Sequence, residues 1–570
     1  MKLLNTAKGG IDLSSILMVC LLVVVSFMIL YPLGMVFYGS VWDSSPGSPG
    51  NFSFKGYEEV YAKIDTYKVL WTTFWLAFVR TFFALTIAIL IAWVVARTNV
   101  PYKQFLELVL LFAFFMPLLP RVIAWVLMLS PRTGFANVIL RNVIPFDIPT
   151  LNCFSYGGII WVGVLVWVPI LYIFITPAFM AMDANLEDSA RMCGAGLWTT
   201  VARIDLPLLA PALLATAALG FVRMMESFEV EALLGMRAGI YVFSTRIYGY
   251  VAHSEPPEYP PGMALAVTLL VITFGIVALQ WKLLGHRQYT TVTGRGDQAR
   301  PIDLGRWRWV GFGAVLLFVI ISTFLPLAIL VWGSLMKVTG VFMADMYTLA
   351  HYRRAFSDPL LWTAIRNTLL MAFSTATIGM VLCTFVSYVV IKTNFSARKL
   401  LDFIVWIPWA IPSIVMALGF MWAYIFLPLP FRIYGTLYLL ILVLITKGFP
   451  LGTRTMTSTI IQISDELEQV ARVHGASWIE SFAYILLPLL SRGFLAGWIL
   501  LFAFAVKDLS TVILLYSTES TVISTQIFDW WKGGALEEAI VLGLLEAVLI
   551  GICFVAAQLI RRRFGSWTSM

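Results

Sequence analysis

The chain has 570 residues, 60% of them hydrophobic and 12% charged, where a soluble protein is nearer about 45–50% apolar and about 25% charged. A mean hydropathy of +0.87 excludes a soluble multidomain enzyme and a disordered chain, and unbroken rather than alternating apolar stretches exclude a β-barrel. The net charge of +8 reflects Lys and Arg gathered in loops as topology signals, not nucleic-acid binding.

Lys2 and Lys8 precede an apolar run from Ile16 to Tyr38. It is too long for a signal-peptide core and lacks a small-residue cleavage pattern, so it reads as an uncleaved first span over 14–38. Hydropathy and turn signals place the next five spans at 70–95, 105–129, 157–181, 208–234 and 263–284. The polar segment 285–308, broken by Gly294, Gly296 and Pro301, reads as a cytoplasmic linker. Six further spans follow at 309–335, 362–391, 400–427, 434–455, 489–515 and 537–560. The expected organisation is a first half over 1–284, the linker over 285–308 and a second half over 309–570.

Loops on one side hold Lys2, Lys8, Arg97, Lys103, Arg191, Arg203, the linker arginines, Lys392, Arg398, Arg454, Arg472 and Arg561 to Arg563. That side is cytoplasmic, and an even number of spans places both termini there. The cysteines (Cys20, Cys153, Cys193, Cys383, Cys553) form no CxxC pair and read as small packing residues. No metal site is expected. The histidines (His253, His286, His351, His474) sit in separate loops, which leaves His-based catalysis nowhere to assemble.

An internal repeat decides the architecture. A shift of 281 residues sets Glu187 to Leu209 on Glu468 to Leu490, and 11 of those 23 pairs are identical. They include Glu187/Glu468, Ala190/Ala471, Arg191/Arg472, Gly194/Gly475, Ala195/Ala476, Pro207/Pro488 and Leu209/Leu490. Pro169 and Pro450 keep the same shift, whereas Thr73/Thr368 and Thr98-Asn99/Thr393-Asn394 need 295, which implies a longer external loop near 131–156 in the first half. The fold class is therefore all-α and polytopic, with about 12 transmembrane helices in two parallel six-helix repeats. Each repeated segment opens on an acidic turn suited to a helix N-terminus. A short helix then runs into Gly194 or Gly475, and a Leu-Pro starts the next span.

These residues resemble the "EAA…G…LP" loop of type I ATP-binding-cassette importer permeases. Glu187-Asp188-Ser189-Ala190…Gly194-Ala195…Leu206-Pro207 and Glu468-Gln469-Val470-Ala471…Gly475-Ala476…Leu487-Pro488 depart from the literal Glu-Ala-Ala triplet but keep the Gly and Leu-Pro anchors. The resemblance covers nearly the whole chain as two fused permease halves in the inner membrane. It implies that Glu187, Ala190, Gly194, Ala195, Pro207, Glu468, Ala471, Gly475, Ala476 and Pro488 couple to a partner ATPase. The chain has no GxxxxGK[ST]. The resemblance thus implies a non-enzymatic translocation subunit without a cofactor of its own, served by two copies of a cytoplasmic ATPase that carry the ATP and Mg. It also implies an extracytoplasmic solute-binding protein. Fused permeases of this kind resemble importers of ferric iron, thiamine, polyamines, aminophosphonates or sugar phosphates. The stretches 227–235 and 508–517 look most like the ferric-iron group.

Basic residues at membrane depth are Arg80, Arg121, Arg223, Arg366, Lys447, Arg492 and Lys507. Ionisable groups there usually face a cavity or a partner. Arg223, Glu226 and Glu229, spaced by three, are expected on one helical face, with Lys507-Asp508 at the matching place of the eleventh span. These five are the candidate translocation path, unless they only neutralise one another locally. The shift of 281 sets Glu226 on Lys507, so the two are expected to pair across the halves. A secondary transporter of six plus six spans is the rival class; it would need no ATPase, and twin cytoplasmic loops argue against it.

Overall fold

The computed structural model describes residues 13–143, 149–182, 189–190, 192–284, 301–341, 345–427, 432–475 and 478–564. Among them, ten helices are long and apolar enough to cross a membrane, and two further helix pairs each make a bent span. The continuous spans of the first half are Leu13–Ser40, Ile64–Arg97, Tyr156–Met180, Val201–Met225 and Tyr259–Leu284. Those of the second half are Trp307–Leu335, Pro359–Lys392, Leu437–Ile461, Ala483–Lys507 and Leu536–Phe564.

The third and ninth spans, read from sequence as single helices, are broken. Lys103–Phe115 meets Leu118–Leu129 at 94°, and Arg398–Ala410 meets Ser413–Phe426 at 112°. Pro117 and Pro412 cause the breaks, because the ring of proline forces the preceding residue out of the helical region. Met116 (ψ 128°) and Ile411 (ψ 120°) are accordingly extended. The fifth and eleventh spans are also shorter than expected at their far ends, stopping at Met225 and Lys507 rather than near 234 and 515. Wide turns precede three of the Leu-Pro pairs: Val201–Asp205 before Pro207, Ile320–Phe324 before Pro326, and Phe482–Leu486 before Pro488. Proline lacks an N–H and collides with the carbonyl four residues back. The wide turn moves that carbonyl aside, and Leu206 N and Leu325 N bond five residues back to Val201 O and Ile320 O.

Side-chain contacts repeat along with the helices. Phe243 N donates to Thr73 Oγ1 at 3.0 Å, and Ile523 N donates to Thr368 Oγ1 at 2.8 Å. Tyr57 OH donates to Ser40 Oγ at 3.0 Å, and Tyr352 OH lies 2.7 Å from Ser334 Oγ. Each threonine satisfies a buried backbone donor at the start of a short helix, Phe243–Tyr248 or Ile523–Gly533. Thr73→Val and Thr368→Val would leave that donor unpaired, a loss of about 1–3 kcal/mol each. Thermal melts in detergent check this, and the double variant is expected to show the sum of the two losses, because the sites are remote from each other.

The first span of each half lies against the other half. Leu13–Ser40 packs on both arms of the broken ninth span, and Trp307–Leu335 packs on both arms of the third. Contact is close: a Cβ on Gly419 would sit 2.6 Å from Pro32 O, so only glycine admits this crossing. Lipid-side surfaces stay apolar, with Val23, Phe78, Leu214, Phe373 and Val555 exposed. Of the cysteines, Cys153 and Cys383 are buried as packing residues should be, whereas Cys20 and Cys193 are exposed. Because the interface between halves is built from packed helices, cutting within 290–300 should leave the halves associated when both are expressed. Co-purification through a tag on one half tests this; separate halves would refute it.

Candidate functional site

Both repeated loops form a helix–turn–helix. In the first, Ser189, Ala190 and Met192 are helical, the chain turns at Gly194 (φ +84°), and Leu197–Thr200 leads into the fifth span through Pro207. In the second, Asp465–Val473 turns at Gly475 (φ +87°), and Trp478–Ser481 leads on to Pro488. Positive φ is the reason for glycine at both turns. A Cβ at either would meet no atom of this chain within 4 Å, so no crowding inside the chain demands it. Ala190 and Ala195 are half-buried and Ala471 is buried. Glu468 lies in the helix Asp465–Val473. Glu187 and Ala476 lie outside the described residues. Sequence reading missed an apolar face here. Leu467, Val470 and Val473 recur every third residue on one side of their helix, 46%, 56% and 84% exposed, and Met192 in the other copy is 89% exposed.

The second constellation lies where the fifth and eleventh spans end. Arg80 is seventeen residues from the linker-side end of the second span, about 25 Å along a helix at about 1.5 Å per residue, and it donates to Met224 O at 3.0 Å. Arg223, Glu226 and Glu229 do not share a helical face. The helix stops at Met225, Glu226 caps it, and Glu229 opens the next helical segment after a break at Ser227 and Phe228. Glu226 is ion-paired to Arg223, whose guanidinium stacks 4.4 Å over Trp409 of the second half. Lys507 instead donates to Phe114 O of the first half at 3.2 Å. The expected Glu226–Lys507 pair is therefore not formed: Glu226 holds Arg223 of its own half, while Lys507 turns to the broken span of the other.

Two buried ion pairs anchor this layer. Arg80 Nη1 lies 2.6 Å from Glu231 Oε1, both side chains almost fully buried, and Ser227 Oγ donates to Glu231 Oε2 at 2.7 Å. Lys447 Nζ donates to Asp508 Oδ2 at 2.6 Å and to Thr511 Oγ1 at 2.7 Å. Arg80 and Lys447 stand out in the sequence as intramembrane charges, but their carboxylate partners are too remote in sequence to be read from it. Neither pair repeats the other residue for residue, yet each ties the segment beyond a shortened span to an intact one. Ser244 Oγ donates to Ser227 O and Ser524 Oγ to Asp508 O, again equivalent contacts.

Between these anchors, Ser510 Oγ donates to Glu229 Oε1 at 2.5 Å. The two residues are 281 apart, the repeat shift, so equivalent positions touch each other and mark the pseudo-two-fold axis. Phe228 and Tyr248 of the first half meet Phe528 of the second there, at ring separations of 6.2 and 6.0 Å. Toward the linker side of Arg223 lies a cavity of about 700 Å³ between the fourth to sixth spans and Arg398–Ala410, with Thr216, Val222, Phe274 and Trp409 on its walls. An adjoining space of about 450 Å³ shares Trp281, Phe403 and Trp406 and is lined by Lys399, Asp402 and Arg454. Among the described residues no three His, Cys, Asp or Glu side chains converge as metal ligands.

Two like-oriented helical repeats, a charged layer on their shared axis and a cavity beneath it define a membrane permease rather than an enzyme. The chain belongs to the family of binding-protein-dependent transport system inner membrane components, whose model matches residues 84–284 and 379–568. It is thus a multi-pass, non-catalytic transmembrane subunit of an ABC importer. One relative, named "Putative ferric transport system permease protein" in Haemophilus influenzae, is 25% identical over 89% of this chain and 78% of its own. A ferric transport system permease protein of Actinobacillus pleuropneumoniae is 24% identical over 70% of this chain and 57% of its own. A solved bacterial ABC transporter for import of the polysaccharide alginate covers 46% of this chain and 98% of its own, at 19% identity and a TM-score of 0.38.

Proposed function

We propose that this permease carries ferric iron, received from an extracytoplasmic binding protein, by alternating access driven through its two loops by two copies of a separate ATPase. The observation that carries the coupling role is the exposed apolar face of Leu467, Val470 and Val473 on a polar, loop-borne helix. A helix on the water side gains by covering such a face with a partner groove, and Met192 offers the other loop a comparable contact. On this reading the linker side and both termini are cytoplasmic. ATP and Mg are held by the ATPase, not by this chain. The substrate follows from the names of the relatives, and the site is compatible with it: Glu229 presents a carboxylate on the axis.

In this scheme Arg80–Glu231 and Lys447–Asp508 are fixed frames, and Glu226 holds Arg223 against Trp409. Glu229 and Arg223, only partly covered, are the groups a cargo meets, and the Ser510–Glu229 contact parts when the axis opens. Uptake of radiolabelled ferric iron into proteoliposomes carrying permease, ATPase and loaded binding protein tests the whole reading. Uptake of a polyamine, a phosphonate, thiamine or a sugar phosphate in its place would reject iron while keeping the importer. Glu229→Gln is expected to lower iron uptake about tenfold, equivalent to about 1.4 kcal/mol, at unchanged amounts of folded protein. Unaltered uptake would remove Glu229 from the path.

A further inference from the structure

The cavity on the linker side of Arg223 lies to one side of the pseudo-two-fold axis. A space on the axis would draw on equivalent residues of both halves. The walls of this one come from the fourth, fifth and sixth spans and from Arg398–Ala410, and no residue related to them by the repeat takes part. Its volume of about 700 Å³ falls within the range of about 300–1,000 Å³ for pockets that enclose a small molecule.

The walls suit hydrocarbon. Apart from indole N–H groups, only Thr216 and Gln280 are polar. Both are spent on backbone carbonyls: Thr216 Oγ1 donates to Ala212 O at 2.9 Å, and Gln280 Nε2 donates to Ala215 O at 3.4 Å. No carboxylate lines the cavity, so a hydrated cation would shed water there and gain nothing in return.

The mouth is different. The adjoining space of about 450 Å³ shares Trp281, Phe403 and Trp406 with the cavity and adds Lys399, Asp402 and Arg454. Trp281 and Phe403 meet edge to face across the halves, ring centres 6.4 Å apart. The Arg454 guanidinium stacks 4.1 Å over Trp406. Among the described residues, no hydrogen bond or ion pair engages the side chain of Lys399, Asp402 or Arg454. Two cations and one carboxylate thus stand without ionic partners beside an apolar chamber.

The other copy of the repeat makes the comparison. The shift of 295 that sets Pro117 on Pro412 also sets Gln104 on Lys399 and Phe115 on Ala410, and the shift of 281 sets Ile173 on Arg454. In that copy the Phe115 ring lies 5.6 Å from Phe554 of the twelfth span, and the Phe112 ring lies 5.3 Å from it. Phenylalanine therefore fills the place that Ala410 leaves open, and both cations are missing beside it. Chamber and cations occur together, as a ligand with an apolar part and an anionic part requires.

We propose that this off-axis cavity holds one phospholipid. Its acyl chains lie between Thr216, Phe274 and Trp409, its phosphate sits between Lys399 and Arg454, and a hydroxyl or ammonium of its headgroup donates to Asp402. The lipid bridges the sixth span of the first half to the broken ninth span of the second. It fills the space beside the Arg223–Trp409 contact without entering the axis at Glu229, so the site stands apart from the identity of the cargo.

Native mass spectrometry of the full chain, released from a mild detergent, reads the lipid directly. The purified permease is expected to carry one phospholipid, and delipidated protein is expected to take up one phosphatidylglycerol. Inorganic phosphate should neither bind nor protect against thermal unfolding. Lys399→Gln with Arg454→Ile installs the residues of the filled copy and is expected to weaken phosphatidylglycerol binding about tenfold or more. Ala410→Phe is expected to remove binding by occupying the chamber. Lys399 and Arg454 are exposed, so their double variant carries the test should Ala410→Phe not fold. Undiminished binding in that double variant would mean lipid adhering to the outer surface only, and would overturn the site. Equal protection by phosphate alone, or a wild-type chain that retains no discrete lipid, would overturn it as well.

Discussion

Arg80→Ala is expected to lower stability by about 3–5 kcal/mol, the cost of leaving a buried carboxylate without its partner. Arg80 and Glu231 are 1% and 0% exposed, and no water-filled surface is at hand to solvate Glu231 once the guanidinium is gone. Gly163 shows how closely the site is fitted, since a Cβ there would lie 2.5 Å from Arg80 Cδ. The melting temperature in detergent should fall steeply, and little folded protein should reach the membrane. Replacing both partners, as Arg80→Met with Glu231→Met, should recover most of the loss, because a buried pair often contributes little over an apolar isostere while a lone buried charge is severely penalised. A single variant as stable as the double would show that Glu231 finds another cation or takes up a proton without strain.

Gly194→Arg combined with Gly475→Arg should abolish transport while leaving the chain inserted and folded. Two effects add. The turn conformation at φ +84° and +87° disfavours any side chain by about 1–2 kcal/mol, and a long cation is placed where the ATPase is proposed to seat. The space around both glycines is open within this chain, so the fold itself has room for arginine. Loss of ATPase co-purification is the direct readout, together with a melting temperature that falls no further than the strain at the two turns accounts for. Normal co-purification would assign the loops another role.

Much of this architecture is legible in the sequence because hydropathy and a long repeat are both properties of local composition. The shift of 281 carries over to the helices: Tyr156–Met180 matches Leu437–Ile461 end for end. Where reading fails, the cause is direction or distance. The broken third and ninth spans are apolar on both sides of Pro117 and Pro412, so hydropathy runs through the bend, although the prolines are plain to see. The segments beyond Met225 and Lys507 contain Leu233, Leu234, Leu514 and Leu515, all buried, which carried the expected spans too far. Pairing fails for another reason. Arg80 and Lys447 announce that a carboxylate is needed, but Glu231 and Asp508 become partners only through the packing of segments remote in sequence. Glu226 and Lys507 are equivalent by the repeat and still do not pair, because the axis passes nearer Glu229 and Ser510.

The exchange of first spans also sets a timetable. Tyr31 of the first span donates to Ala423 O, 392 residues further along the chain. At a synthesis rate of about 5–20 residues per second, the first helix enters the membrane some 20–80 s before the surface it packs on has been made. During that interval Pro32 and Val36, which end up against Gly419, face lipid alone. A chain halted before the ninth span is complete would keep that face uncovered, and a cell's quality control would meet it as an unmatched helix rather than as a smaller transporter.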